Sequence, residues 1–355
     1  MRVGIDVGGT FTDAVAVGED GCLVVAKVSS TPATPETGFL RALDELAETT
    51  GAASGEISYL VHGSTVATNA IVQRRTARAG LVTTAGFRDL LEIGTQQRPS
   101  LYDLEEPKRE PLVPRDLRLE VDERIGAEGQ VVRPLDPESV RRAAEALREG
   151  GAEAVAVSFL FSFANPEHER RVEEILAEEM PAIPVTLSSE VAPEFREYLR
   201  TATTVVNAAL LPLVGRYVSR LSARLREAGV SAPLHLMQSN GGVARAEAAG
   251  QLPVALISSG PAAGTIAAAR LGALAGHQDV LGFDMGGTTA DVCLVVDGAP
   301  QQRFRGEAAG HPVNLPQVDV LSVGAGGGSI ARVDRFGSLL VGPESAGADP
   351  GPAAY

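Results

Sequence analysis

The chain has 355 residues, 44% hydrophobic and 21% charged, with a formal net charge of −14; that is length for about two domains and material for a sizeable core, and nothing in it argues for disorder. So acidic a chain repels nucleic acid and anionic lipid, and 4% aromatic residues with no tryptophan leave few platforms for stacked bases. Two cysteines, Cys22 and Cys293, build no disulfide framework, and the longest apolar stretch, 152–164, is too short for a membrane span and carries Glu153; we expect a cytoplasmic protein with neither nucleic-acid nor membrane partners.

The amino terminus enters a strand pattern at Val3, turns at Gly8-Gly9, and leaves through a second apolar run, 14–17, to a turn at Glu19-Asp20-Gly21. Phe39, Leu40, Leu43 and Leu46 stand at helical spacing and predict a helix over 35–48. A short strand over 59–62 leads through Gly63-Ser64-Thr65 to a helix over 67–74, and 80–83 is a second short strand. Residues 98–136, rich in Pro, Glu and Arg, read as a long excursion with short strands. A helix over 137–149 carries Val140, Ala143, Ala144 and Leu147 on one face, followed by a buried strand over 154–161. Asn165-Pro166-Glu167 supplies a cap, a proline at the first helical position and an acidic first turn for a helix reaching about 179. After a strand near Val185, a long helical stretch covers 192–228, with Pro212 as a candidate break, and strands near Leu234 and Val254 each run into a polar or Gly-rich loop. Strands alternating with helices predict an α/β protein with mixed sheets, divided in the 180–200 stretch; we place the units at 1–185 and 186–355.

The most informative feature is an internal repeat. Val3-Gly4-Ile5-Asp6-Val7-Gly8-Gly9-Thr10-Phe11-Thr12-Asp13 returns as Leu281-Gly282-Phe283-Asp284-Met285-Gly286-Gly287-Thr288-Thr289-Ala290-Asp291. Both copies read as strand, Gly-Gly turn, strand, turn. Consecutive glycines let a turn present backbone N–H groups to phosphate oxygens with no side chain in the way. We therefore assign Gly8, Gly9, Thr10 and Thr12 in one copy, and Gly286, Gly287, Thr288 and Thr289 in the other, to a nucleotide phosphate tail. Asp6 and Asp284 stand at the strand ends, where a carboxylate can hold Mg²⁺ through its waters. Asp13 and Asp291 follow the turns and either orient water or brace the hairpins. A single Asp-x-Gly-Gly is an ordinary β-turn; two copies with matching flanks point to a nucleotide.

Competing phosphate motifs are absent or misspaced. There is no Gly-x-x-x-x-Gly-Lys-[Ser/Thr], and Gly324-Ala325-Gly326-Gly327-Gly328-Ser329 has serine where a dinucleotide fingerprint needs glycine. His62, Ser64, Thr65 and Asn69 read equally as substrate contacts, with His62 orienting a carbonyl, or as a strand end and helix cap. Ser258-Ser259-Gly260 precedes a predicted helix and reads as an anion-receiving N-terminus or a plain strand-to-helix turn. Arg88, Asp89 and Glu92 read as a surface ion-pair group, His168 as solvated and His235 as structural.

The paired turns resemble the phosphate-1 and phosphate-2 elements of the superfamily that holds actin, the heat-shock ATPase chaperones and the sugar kinases. The text between them is similar to the hydantoinase A/5-oxoprolinase family, at His62-Gly63-Ser64-Thr65-Val66-Ala67-Thr68-Asn69-Ala70, Thr83-Thr84-Ala85-Gly86-Phe87-Arg88-Asp89, Pro193-Glu194-Phe195-Arg196-Glu197-Tyr198, Gln238-Ser239-Asn240-Gly241-Gly242, Ser259-Gly260-Pro261-Ala262-Ala263-Gly264 and Gly342-Pro343-Glu344-Ser345-Ala346-Gly347. The resemblance implies an actin-like (ribonuclease H-like) duplicated ATPase fold with ATP and Mg²⁺ as cofactors. It implies ATP-dependent ring opening of a cyclic amide such as hydantoin, N-methylhydantoin or 5-oxoproline. An unstrained lactam is a poor electrophile, and phosphorylating its carbonyl oxygen activates it for water. The chain would be the A-type subunit and a B-type hydantoinase subunit its partner. An A-type subunit of an ATP-dependent ketone carboxylase and a non-catalytic nucleotide-binding fragment are the alternatives. Family members continue beyond Gly-Pro-Glu-Ser-Ala-Gly, so the second lobe and its adenosine-binding element are expected to be incomplete.

Overall fold

Strand β1 (Arg2–Val7) alternates so that Val3, Ile5 and Val7 are buried on one face while Asp6 points from the other. It pairs antiparallel with β2 (Phe11–Val17), which pairs with β3 (Leu23–Ser29). Helix α1 (Pro35–Thr50) opens on a proline in its first turn and ends on Gly51 at φ 67°, the left-handed cap that glycine adopts without strain. The computed structural model describes the chain apart from residues 32–33, 98–99, 104, 107, 288, 347–350 and 352–355.

The chain then runs β4 (Tyr59–Ser64), α2 (Val66–Val72), β5 (Ala79–Thr84), β6 (Arg118–Val121), α3 (Pro137–Glu149), β7 (Ala154–Ser158), α4 (Glu167–Glu179), β8 (Val185–Leu187) and α5 (Glu197–Glu227). It continues through β9 (Leu234–Met237), β10 (Val243–Arg245), α6 (Ser259–Leu274), β11 (Val280–Met285), β12 (Ala290–Val296), β13 (Ala299–Pro300) and β14 (Val320–Val323). Six strands form a mixed sheet in the order β10-β9-β4-β1-β2-β3, with β4 parallel to both β1 and β9. Four parallel strands form a second sheet, β8-β7-β5-β6. The repeat's second hairpin makes the third sheet, β11-β12-β13, with β14 also on β12.

Helix α5 joins the first two sheets into one body. Its Val206, Leu210, Val214 and Tyr217 enter the core of the first sheet, and Val205, Ala208 and Ala209 that of the second. Packing on both sides explains why Pro212 does not break it: the missing N–H costs one hydrogen bond, and burial outweighs that cost. Helix α3 matches its predicted bounds, and Asp136 caps it by accepting from the Glu138 and Ser139 amides.

Several expectations are corrected. The strand read near Val254 is a 3-10 turn, Pro253–Leu256, whose four residues are buried. The strand predicted over 154–161 ends at Ser158, and Phe161 has turned to φ 55°. His168 is buried rather than solvated, with Nδ1 2.8 Å from Glu123 Oε2. Strands β9 and β10 lie beyond residue 186 and complete the first sheet; strand order across a sheet is not a local property of sequence. No helix among the described residues is long and apolar enough to cross a membrane.

Candidate active site

The two hairpins repeat each other in register and in turn geometry. Asp6 lies opposite Asp13 across β1 and β2, and Asp284 opposite Asp291 across β11 and β12. Gly8 donates its amide to the Phe11 carbonyl at 3.0 Å, and Gly286 donates to the Thr289 carbonyl at 2.9 Å, the equivalent position. A side chain at Gly8 would meet that carbonyl at 3.0 Å, so the first turn leaves little room for one. Thr288 lies outside the described residues.

Asp6 sits where several elements converge. Strand β4 runs parallel to β1 and brings Gly63 beside it, and a Cβ on Gly63 would stand 2.4 Å from Asp6 Oδ1. The first turn of α6 approaches from the other lobe, so that a Cβ on Gly260 would be 3.8 Å from the same oxygen. That helix start is fixed to the first lobe: Ser258 N–H donates to Thr68 Oγ1 at 3.0 Å and Ser259 Oγ to the Ser64 carbonyl at 3.3 Å. Ser258 holds φ 60°, a left-handed conformation that costs a non-glycine residue energy and recurs at functional sites.

The electrostatics tie the hairpins together. The Asp6 tip reaches solvent, yet crowding by the protein raises its pKa above the ordinary 3.8, and the charges of Asp13 and then Asp284 raise it further. Asp6 and Asp284, 278 positions apart, therefore feel each other. Among the described residues no three His, Cys, Asp or Glu side chains cluster as a direct metal-ligand set. Carboxylates that repel one another are the donor set that a hydrated divalent cation would relieve, so Asp6 and Asp284 fit Mg²⁺ held through its waters.

The remaining candidates separate into wall and support. Thr65 and Asn69 line a cavity of about 590 Å³ with Gly8, Gly9, Tyr217 and Arg220, the size of a small-ligand pocket. Asp284 and Asp291 line a second cavity, about 280 Å³, against α6 at Gly264 and Thr265. Thr10 is partly exposed and its carbonyl accepts from Ser30 N–H at 3.0 Å. Thr12 is buried, with Oγ1 3.0 Å from Ser30 Oγ, so it braces the hairpin instead of facing the turn. Asp13 pairs with Lys27 at 2.6 Å, and Asp291 accepts a hydrogen bond from Ser322 Oγ.

His62 does not reach the cavity. It is fully buried, with Nδ1 3.1 Å from the Ile5 carbonyl and Nε2 2.6 Å from the Tyr217 hydroxyl. A carbonyl only accepts, so Nδ1 carries the proton and Nε2 accepts from Tyr217. Burial lowers the His62 pKa to about 4, so the ring is neutral, and burial raises that of Tyr217, whose oxygen also bonds Ser64. Ser64 and His62 thus stand behind the wall that Tyr217 presents.

Sequence reasoning missed what supports the second turn. Gly327 and Gly328 donate successive amides to the carbonyls of Gly286 and Gly287, at 2.9 and 2.8 Å. The Gly324–Ser329 loop is a brace for that turn. Arg88, Asp89 and Glu92 are a surface group as expected, with Asp89 paired to Arg115 and Glu92 to Arg118.

The hydantoinase/oxoprolinase N-terminal region matches residues 2–180, and the hydantoinase/oxoprolinase family proper matches 200–355. The chain belongs to the hydantoinase/oxoprolinase family. It is 38% identical to caprolactamase subunit alpha of Pseudomonas jessenii, over 100% of this chain and 52% of that subunit. The crystal structure of that ATP-dependent caprolactamase superposes with a TM-score of 0.86, at 37% identity, covering 100% of this chain and 52% of that one. The nucleotide-free structure of acetone carboxylase gives 0.86 at 33% identity, covering 98% and 51%. 5-Oxoprolinase 1 of Arabidopsis thaliana is 35% identical over 100% of this chain and 30% of its own length. The fold is thus the actin-like ATPase fold in part, and the chain spans about half the length, or less, of these relatives.

Proposed function

We propose that this chain is the ATP-handling, A-type component of an enzyme that opens a cyclic amide. The observation that carries the reading is the pair of equivalent glycine turns with their Asp pairs, both set against α6, where burial, then Asp13, then Asp284 raise the Asp6 carboxyl. Backbone amides of Gly8-Gly9 and Gly286-Gly287 would cradle the phosphate tail, helped by the α6 N-terminus and the threonines of the turns. Asp6 and Asp284 would hold Mg²⁺ through its waters, and the cation would neutralise phosphate charge. ATP would supply the phosphoryl group that turns the amide oxygen into a leaving group.

The chain's own residues divide the remaining work. The cavity beside Gly8 and Gly9 would receive the lactam, with the free N–H of the Asn69 amide donating to its carbonyl and the Thr65 hydroxyl oxygen accepting from its N–H. Thr65 is held for this by donating to the Val7 carbonyl at 3.1 Å, and Asn69 by donating to Thr65 at 3.2 Å. Asp13 and Asp291 would brace the turns or orient water. A B-type partner would complete hydrolysis.

The test supplies the chain with the part of its relatives that it does not match and with a B-type subunit, then measures phosphate release. Turnover dependent on 5-oxoproline, hydantoin or caprolactam supports the reading. Turnover that needs a ketone and bicarbonate favours the carboxylase alternative, which the likeness to acetone carboxylase keeps open. No turnover with either class would leave a non-catalytic nucleotide-binding role.

A further inference from the structure

The cavity that Gly8 and Gly9 line carries two cations and no acid. Arg75, just after α2, and Arg220, on α5, both stand in its wall, and every other lining residue is apolar, a glycine, a hydroxyl or a side-chain amide. In a chain of net charge −14 that is a local reversal of sign. Arg216 and Arg224, one helical turn to either side of Arg220, are exposed as well and extend the positive stripe along α5.

Neither guanidinium is occupied. Among the described residues the Arg75 side chain makes no ion pair and no hydrogen bond. Arg220 has Glu36, whose Oε1 lies 3.8 Å from its Nε, beyond hydrogen-bonding distance. Glu36 is buried behind the wall, and its Oε2 has no hydrogen-bond partner. Its charge attracts Arg220 and offsets part of the positive potential without using the N–H donors of the fork, and no carboxylate does the same for Arg75.

A plain cyclic amide gives these donors nothing to bind. Its one N–H and one carbonyl go to Thr65 and Asn69, and the phosphate tail goes to the glycine turns. The rest of such a ring is C–H groups, and packing those on a guanidinium strips it of water without return. A carboxylate on the ring does the reverse, since its two oxygens match the planar N–H fork of arginine.

We infer that the cavity selects a cyclic amide that carries an acidic substituent, with Arg220 and Arg75 as the residues that select it. The inference rests on the activity proposed above and narrows it: a neutral lactam is a poor substrate.

The experiment compares 5-oxoproline with 2-pyrrolidinone, the same ring without its carboxylate, in the reconstituted enzyme. The acid should be preferred about 100-fold or more in kcat/KM, the worth of two charge-assisted contacts. Arg220→Gln should raise the KM for 5-oxoproline about 10- to 30-fold and leave kcat, the KM for ATP and the poor use of 2-pyrrolidinone unchanged. Arg75→Gln should do the same; it strands no carboxylate, so its result stands even where Arg220→Gln unsettles Glu36. Arg216→Gln, outside the cavity wall, should match the parent. Equal use of the two rings, or arginine variants with an unchanged KM for the acid, would overturn the inference and leave the proposed activity standing. A rise in the KM for ATP instead would assign the arginines to nucleotide phosphate and overturn it as well. Calorimetric titration of the chain with each ring separates the two claims. 5-Oxoproline bound through the arginines, with no lactam turned over, sustains the acid site and discards the activity; binding of neither ring with no turnover ends both.

Discussion

The Tyr217 hydroxyl donates to Nε2 of His62 at 2.6 Å, joining α5 to β4 behind the cavity that Gly8 and Gly9 line. His62 is neutral because burial lowers its pKa to about 4 from 6.5. As pH falls below 6.5 the unfolded chain protonates this histidine first, so stability falls between pH 6.5 and about 4 and is unaffected above that window. The accumulated loss at the acid end is about 3 kcal/mol. Thermal unfolding followed from pH 8 to 4 should show this slope, and His62→Gln should flatten it. Equal slopes in the two proteins would remove His62 as the cause.

Tyr217→Phe probes the same pair from the other side. It leaves a buried imidazole nitrogen without a donor and should cost about 1–3 kcal/mol in denaturant unfolding at neutral pH. A variant as stable as the parent would mean that another donor satisfies His62.

Asp6 opposes stability and function. Its carboxyl is raised by burial, then by Asp13 and Asp284. A raised carboxyl pKa means that stability is lost as pH climbs through the folded value, so at neutral pH Asp6 destabilises the free chain. Asp6→Asn should therefore raise the unfolding temperature while lowering ATP turnover of the reconstituted enzyme by about 100-fold or more. Gly63→Ala, whose methyl group would crowd the same carboxylate, should weaken Mg²⁺–ATP binding without that gain. Isothermal titration with and without Mg²⁺ separates the two, and an Asp6→Asn variant with undiminished turnover would disqualify the carboxylate.

A second buried polar network joins α5 to α4. Arg200 is fully buried and donates to the Phe159 carbonyl at 2.8 Å, the Glu194 carbonyl at 2.7 Å and Ser188 Oγ at 3.2 Å. Glu169 accepts from Phe159 N–H, Ser188 Oγ and Ser189 N–H close by. Arg200→Met leaves three acceptors without their donor and the buried Glu169 carboxylate without its neighbouring positive charge, and should cost about 3–5 kcal/mol in urea unfolding. A loss below 1 kcal/mol would show that water takes over.

The parts legible in the sequence are those written locally and written twice. The hairpins followed from the repeated Asp-x-Gly-Gly spacing, and α3 from its period and its Asp136 cap. The brace of Gly327 and Gly328 on the second turn was illegible because it pairs residues some 40 positions apart through backbone atoms that carry no signature. His168 misled for another reason: a polar residue in the first turn of a helical pattern reads as solvated, and only its tertiary partner Glu123 shows that it is buried. The return of β9 and β10 to the first sheet escaped for the same lack of local trace.

Asn69 offers the sharpest test of where substrate sits. It is exposed on α2 and lines the cavity, and among the described residues its side chain hydrogen-bonds Thr65 four residues earlier, so removing it should barely change stability. If the lactam lies there, Asn69→Ala should raise its KM about 10-fold, the value of one neutral hydrogen bond, and leave the KM for ATP unchanged. A matching rise in both constants would place Asn69 at the nucleotide instead. No change in either would move the substrate to the smaller cavity that Asp284 and Asp291 line against α6.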